Sequence, residues 1–233
     1  MSNMRMLILV VLSLCSFIAD SKNGVARKIE APKIIQTPII FDEQREQLSL
    51  LYLKERYGII KNVATIIPKM IVVHYTVIPT FKDSFNAFNP SVFTTGQRPD
   101  ISAINRLNVS AHYLIDRDGA IHQLLADTTF ARHVIGLNYT AIGIENVGDG
   151  DKLPLTIFQL RANTELIKYL VSVHNIEYLI GHFEYKDFVA HPLWKEKSTN
   201  YRTEKSDPGV VFMKKLRKNL SELSLKGSPL VQN

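Results

Sequence analysis

Short, apolar strand-like runs alternate with helical patterns along this sequence of 233 residues, and this alternation constrains the fold more than any other feature. Met70–Val73 is an unbroken apolar run, and Ala141–Glu145 is a second apolar strand candidate with a carboxylate near its end. Such runs suit strands that are buried on both faces of a sheet. Thr156–His174 is the clearest helix, because Thr156 and Gln159 have capping-box spacing. The sequence therefore predicts an α/β fold with a central mixed sheet flanked by helices.

The other predicted elements complete a single domain with an N-terminal helical arm. A helix is predicted at Phe41–Tyr57, and Ser110–Asp116 and Ala120–Leu125 read as a hairpin around an Arg-Asp-Gly turn. Glu177–Gly181 is a further strand, and a last basic helix ends near Leu220. We therefore divide the chain into residues 1–21, an arm and helix at 22–65, the main domain at 66–220 and a flexible tail at 221–233.

Residues 1–21 have the segment order of a secretory signal peptide. A single cation, Arg5, precedes an apolar run that begins at Met6, and the small-x-small pattern Ala19–Ser21 follows. The apolar run is shorter than the ~20 residues that a membrane-spanning helix needs, although an uncleaved anchor remains the alternative. Cleavage after Ser21 would remove Cys15, the only cysteine. We expect an exported chain, periplasmic or secreted, without disulfides and without a stable membrane span.

The net charge of +6 favours an acidic partner. Removing residues 1–21 takes away Arg5 and Asp20 and leaves the charge unchanged. Nucleic acid, anionic lipid and an anionic wall polymer would all fit this charge. The lysines and arginine at 214–218 are not accompanied by a recognition motif or interleaved aromatic residues, so nucleic acid is not expected.

Three potential metal ligands lie at or close behind the ends of predicted elements. His74 and His182 each follow a strand directly, and Asp207 lies at the start of the last predicted helix. Strand ends in α/β sheets are where sites are assembled. Two imidazoles and a carboxylate would leave the fourth position of a catalytic zinc site open. Spacing alone is weak evidence, because the chain has seven histidines and many histidines are structural.

Six runs in order carry a resemblance to a known family. They are Ile71–Thr76, Ser110–Gly119, Ala131–His133, Ile142–Glu145, Gly181–His182 and Lys205–Gly209. Together they resemble the zinc-dependent N-acetylmuramoyl-L-alanine amidases, which share their fold with the peptidoglycan-recognition proteins. The resemblance covers about residues 66–218. It implies a bound zinc ion and hydrolysis of the amide between the lactyl group of muramic acid and L-alanine.

Carried over by position, the resemblance implies that His74, His182 and Asp207 are the zinc ligands. It makes Glu145 the residue that handles the attacking water and Lys205 the cation that stabilises the oxyanion. These roles agree with the chemistry, since a nearby carboxylate can take a proton and a cation can stabilise a developing negative charge.

The resemblance also implies that His133 and Asn138 contact the substrate, with a loop role as the alternative for each. Residues 183–204 form an insertion relative to compact members and could line the groove, although its Trp194 could equally serve in packing. The expected partner is peptidoglycan or its muropeptide fragments. Two other functions stay open at this point: a non-catalytic peptidoglycan-binding module of the same fold, and another zinc amidohydrolase such as a sugar N-deacetylase. The oligomeric state is not indicated.

Overall fold

A computed structural model describes residues 17–18, 27–93 and 105–230. Strands β1 (Phe17–Ile18) and β2 (Arg27–Lys28) form a small antiparallel pair. The signal-peptide prediction at residues 1–21 otherwise lies outside the described residues. Within them, no helix combines the length and apolar character needed to cross a membrane.

The main domain is built on a mixed six-stranded sheet, as predicted. Its strands follow the spatial order β3-β6-β5-β7-β4-β8. Only β5 and β6 pair antiparallel, and they form the predicted hairpin in a shorter version. The remaining neighbours are parallel, so β4 lies between two parallel partners, β7 and β8. The bounds are β3 Ile34–Gln36, β4 Met70–Val73, β5 Tyr113–Ile115, β6 Ile121–Gln123, β7 Ala141–Asn146 and β8 Tyr178–Gly181.

Four α-helices accompany the sheet in the described part of the chain: α1 Glu43–Tyr52, α2 Phe81–Phe88, α3 Ile157–Val173 and α4 Val210–Asn219. Helix α1 continues into a π-helical turn, Leu53–Tyr57, which ends at Gly58 with a φ of 70°. The predicted capping box of α3 is present, because Thr156 and Gln159 each bond the main chain of the other. The capping box begins α3 directly after the predicted Thr156, and α1 begins at Glu43, two residues after the predicted Phe41, behind its N-cap Asp42.

The two faces of the sheet are covered differently. Ile71 and Val73 of β4 pack into the core beneath α3 and α4. Met70 and Val72 face the other side, where loops and the segment after β8 cover the sheet. Side chains alternate along a strand, so His74 continues the face on which Val72 lies. This second face carries the site.

Two segments predicted to lie outside the main domain form part of the sheet or pair with it, one at each edge. The arm supplies β3, which pairs with β6. Part of the predicted flexible tail at 221–233 pairs with the other edge of the sheet. Lys226 accepts a main-chain hydrogen bond from Leu179 and donates one to Glu177, both at 2.9 Å. Main-chain groups at the edge of β8 would otherwise lack protein partners, and this pairing satisfies them.

Candidate active site

The strand register brings three predicted site residues together at the carboxyl ends of three neighbouring strands. Val73 of β4 is paired with Ile144 of β7 and with Gly181 of β8. The next residues along the chain are therefore neighbours at the carboxyl ends of the three parallel strands. These residues are His74, Glu145 and His182.

His74, His182 and Asp207 form a compact cluster that could hold a metal ion. The two histidine Nδ1 atoms lie 2.9 Å apart, and Asp207 Oδ2 lies 3.1 Å from His74 Nδ1 and 2.9 Å from His182 Nδ1. All three residues are buried. Tetrahedral zinc with bonds of about 2.0–2.1 Å holds its ligand atoms roughly 3.3 Å apart, so this triangle is close to the required size. The nitrogen and oxygen donors also fit zinc.

Burial and neighbouring groups shift the pKa values of two residues of the cluster, His182 and Asp207. Burial lowers the pKa of His182 to about 4, and the positive charge of Lys205 adds a smaller contribution. Burial alone would raise the pKa of Asp207, but its bonds to His182 and His74 outweigh this effect and lower the pKa below its ordinary value. At neutral pH His182 is thus a neutral imidazole and Asp207 a carboxylate, which are the forms that bind metal.

The cluster opens into a cavity of about 420 Å³ that also contains Glu145 and Lys205. Glu145 is 9% exposed and stands beside His74 on the neighbouring strand. Lys205 lies two residues before Asp207 and lines the same cavity. The cavity therefore brings together all five residues that the sequence predicted for metal binding and catalysis.

His133 and Asn138, predicted to contact substrate, are engaged with the protein itself. His133 Nδ1 lies 3.0 Å from His74 Nε2, and its own Nε2 lies 3.1 Å from the carbonyl oxygen of Ala141. Burial lowers the pKa of His133 well below its ordinary value. The side-chain Oδ1 of Asn138 accepts hydrogen bonds from the main-chain N–H groups of His133 and Val134, at 2.8 and 2.7 Å. Both residues line the cavity wall, but the Asn138 geometry favours the alternative loop role.

The insertion at 183–204 folds against the cavity. Its first part is a 3-10 helix, His182–Phe188, and Tyr201 near its end lines the cavity. Trp194 does not line it and packs beside Gly136 and Tyr185, which supports the packing role.

Two residues that contact the cluster or its neighbour Ser206 were not identified from the sequence. Tyr75 follows His74 directly, and its hydroxyl lies 2.7 Å from Ser206 Oγ, directly before Asp207. Asn146 donates its side-chain amide to the carbonyl oxygen of His74 at 3.0 Å. Both residues are adjacent to a predicted site residue in sequence, and this adjacency is the signal that could have identified them.

Comparison with known proteins gives a family match over the domain that holds this site. A sequence model of the N-acetylmuramoyl-L-alanine amidase family, Amidase_2, matches residues 64–210, more than half of the chain. The matched span includes His74, Glu145, His182, Lys205 and Asp207. A comparison with curated protein sequences gives no significant match.

Solved structures of distant proteins resemble the chain in outline. The N-acetylmuramoyl-L-alanine amidase LysC from Clostridium intestinale URNW is 20% identical, with 84% of this chain and 100% of that chain covered and a TM-score of 0.49. AmiD from E. coli, in complex with an anhydro-muropeptide substrate, is 23% identical over 65% of this chain and 57% of that chain, with a TM-score of 0.46. Bumblebee PGRP-SA is 18% identical, with 85% of this chain and 99% of that chain covered and a TM-score of 0.47. The family match over residues 64–210, not these distant likenesses, supports the assignment.

Proposed function

Because this chain belongs to the N-acetylmuramoyl-L-alanine amidase family, we propose that it is an exported, zinc-dependent enzyme that releases stem peptides from peptidoglycan or muropeptides. The bond cleaved is the amide between the lactyl group of muramic acid and L-alanine. One observation carries the proposal: the His74, His182 and Asp207 cluster shares a cavity with Glu145 and Lys205.

The three clustered side chains are the proposed zinc ligands. Their donor atoms lie within 3.1 Å of one another, and the buried carboxylate offsets part of the charge of a divalent ion. A bound zinc ion would polarise the scissile carbonyl and lower the pKa of a water molecule to about 7. Two histidines and one carboxylate leave a position open for that chemistry.

Glu145 is the proposed proton carrier. Its position beside His74 in the cavity supports this role. Its carboxylate would take a proton from the attacking water as the new carbon–oxygen bond forms. The same proton would pass to the nitrogen of L-alanine as the carbon–nitrogen bond breaks, so the amine leaves protonated. General acid–base catalysis of this kind contributes about 10²–10⁴-fold in rate.

Lys205 is the proposed stabiliser of the oxyanion that develops on the lactyl carbonyl. Its side chain lines the cavity, and its charge acts on the neighbouring His182. A cation already in place costs no reorganisation when the negative charge forms. The net charge of +6 would further attract a polymer rich in carboxylates.

Export is proposed from the signal-peptide order of residues 1–21. The test is N-terminal sequencing of the chain recovered outside the cytoplasm, and a mature N-terminus after Ser21 is expected. A chain that keeps residues 1–21 and stays with the membrane would support the anchor alternative.

Mass spectrometry of digested muropeptides tests the activity. We expect a free stem peptide that begins with L-alanine and a sugar product that keeps its acetyl groups. Loss of acetyl groups with the peptide still attached would indicate a deacetylase. Binding of muropeptides without any product, by a chain that takes up no stoichiometric zinc, would indicate a binding module. Glu145→Gln serves as the matched inactive variant.

A further inference from the structure

His74 contacts a second histidine that comes from a distant part of the sequence. The Nε2 atom of His74 lies 3.0 Å from Nδ1 of His133, and the two rings are nearly perpendicular at 87°. On its other side, His133 Nε2 lies 3.1 Å from the carbonyl oxygen of Ala141 in β7. His133 therefore bridges a proposed metal ligand and the main chain of the central sheet.

The positions of the protons follow from the last acceptor in this series. A carbonyl oxygen only accepts, so the contact with Ala141 requires a proton on His133 Nε2. In a neutral imidazole protonated there, Nδ1 is an acceptor. It then receives the Nε2 proton of His74, which leaves the lone pair of His74 Nδ1 directed at His182 and Asp207.

We propose that His133 is a positioning residue that fixes the tautomer and ring orientation of His74 for metal binding. The inference rests on the proposed zinc function of the cluster. Partners of this kind behind a metal-ligating histidine hold its ring and raise its basicity, and their loss typically lowers metal affinity 10–100-fold. Because both ring nitrogens of His133 are engaged within the protein, this role replaces the substrate contact that the sequence predicted.

The main chain around His133 is held in turn by the N-terminal helical segment. Asn138 accepts from the N–H groups of His133 and Val134 and donates its side-chain amide to the hydroxyl of Tyr57 at 2.9 Å. Tyr57 lies in the π-helical turn after α1, outside the residues that match the family model. The arm thus supports the metal cluster through two intermediate side chains.

Gly143 provides the space for the ring of His133. A Cβ atom at Gly143 would lie 2.8 Å from Cγ of His133, closer than ordinary packing allows. The central strand β7 therefore accommodates His133 at this position and also supplies Glu145 two residues later.

Zinc affinity of the full chain tests this inference, measured by competition with a chromophoric chelator. Wild type is compared with His133→Ala, with His133→Leu, which fills the space, and with His133→Asn, which keeps an acceptor near the Nδ1 position. His191→Ala is the control, because His191 does not line the cavity. The visible absorption of bound Co²⁺, which reports ligand geometry, is recorded for each variant.

We expect the alanine and leucine variants to bind zinc 10–100-fold more weakly and to show an altered Co²⁺ spectrum. The asparagine variant should recover affinity to within a few-fold of wild type, and the control should match wild type. Wild-type zinc affinity in either the folded alanine or the folded leucine variant would overturn the inference. A wild-type chain that binds no zinc would be a separate result and would contradict the proposed function.

Discussion

His74 and His182 face each other with their Nδ1 atoms 2.9 Å apart because each is the first residue after one of two adjacent parallel strands. Val73 and Gly181, the last residues of those strands, are paired in the sheet. The separation of the two nitrogens therefore depends on strand register. A shift of one residue would turn one of the side chains to the opposite face of the sheet.

Replacing Asp207 should remove the metal while leaving a folded chain. In Asp207→Ala the two histidines lose the carboxylate that offsets the charge of the ion, so we expect zinc content after dialysis to fall from one equivalent to near zero. Metal analysis of the purified protein measures this directly. Asp187→Asn is the control, because that carboxylate accepts from Ser228 and does not line the cavity. Full zinc occupancy in Asp207→Ala would contradict the ligand assignment.

Glu145→Gln should separate metal binding from catalysis. The amide has the size of the carboxylate but cannot take a proton from water, so kcat should fall about 10²–10⁴-fold with zinc content unchanged. The exposed Glu165 on α3 offers a matched control as Glu165→Gln, which should keep wild-type activity. A Glu145→Gln enzyme as active as wild type on muropeptides would mean that another group handles the proton.

Lys205→Met should slow hydrolysis without loss of zinc. Removing one group that stabilises an oxyanion costs about 10²–10³-fold in kcat, and the expected effect on KM is small. Steady-state kinetics on a purified muropeptide measures both constants. Lys214→Met, an exposed lysine on α4, is the control. A change confined to KM would assign Lys205 to substrate binding instead.

The parts of this site that depend on local sequence could be predicted from the chain. His74 and His182 follow short apolar strands, and parallel strands end at the same edge of a sheet, so their proximity is predictable in outline. The assignment of Glu145, Lys205 and Asp207 required the family resemblance as well. The capping box that begins α3 is also a local signal.

The contacts that the sequence could not reveal join segments far apart in the chain. Arg56 and Glu196 form a 2.6 Å ion pair that ties the π-helical turn to the insertion, although 140 positions separate them. His133 lies in a loop, and the course of that loop brings its ring to His74. No periodic pattern in the sequence predicts the course of a loop. The edge pairing of Lys226 was missed because a short polar segment can satisfy a strand edge without any strand-like pattern.

Acid should destabilise the fold through His112, a buried histidine outside the cluster of His74, His182 and Asp207. Burial lowers its pKa to about 4, and its Nδ1 accepts from the Gly143 N–H while Nε2 contacts the Thr129 carbonyl. The unfolded chain has the ordinary pKa near 6.5, so it binds the extra proton first. The contribution of His112 to the free energy of unfolding is therefore full above about pH 6.5. It falls as the pH drops toward 4, by about 3 kcal/mol in all.

Urea unfolding of wild type and His112→Gln between pH 7.5 and 4.5 measures this effect. The free energy of unfolding of wild type should fall more steeply with decreasing pH than that of the variant, because glutamine takes up no proton in this range. Parallel pH profiles for the two proteins would show that His112 does not carry the acid sensitivity.

Zinc titration of the metal-free chain, followed by the rate of stem-peptide release from a purified muropeptide, tests the central claim most directly. The account predicts a rate that rises linearly to one equivalent of zinc and then stays constant, with no response in His74→Ala. Release of the stem peptide at the full rate by the metal-free chain, or no release at any zinc concentration, would contradict it.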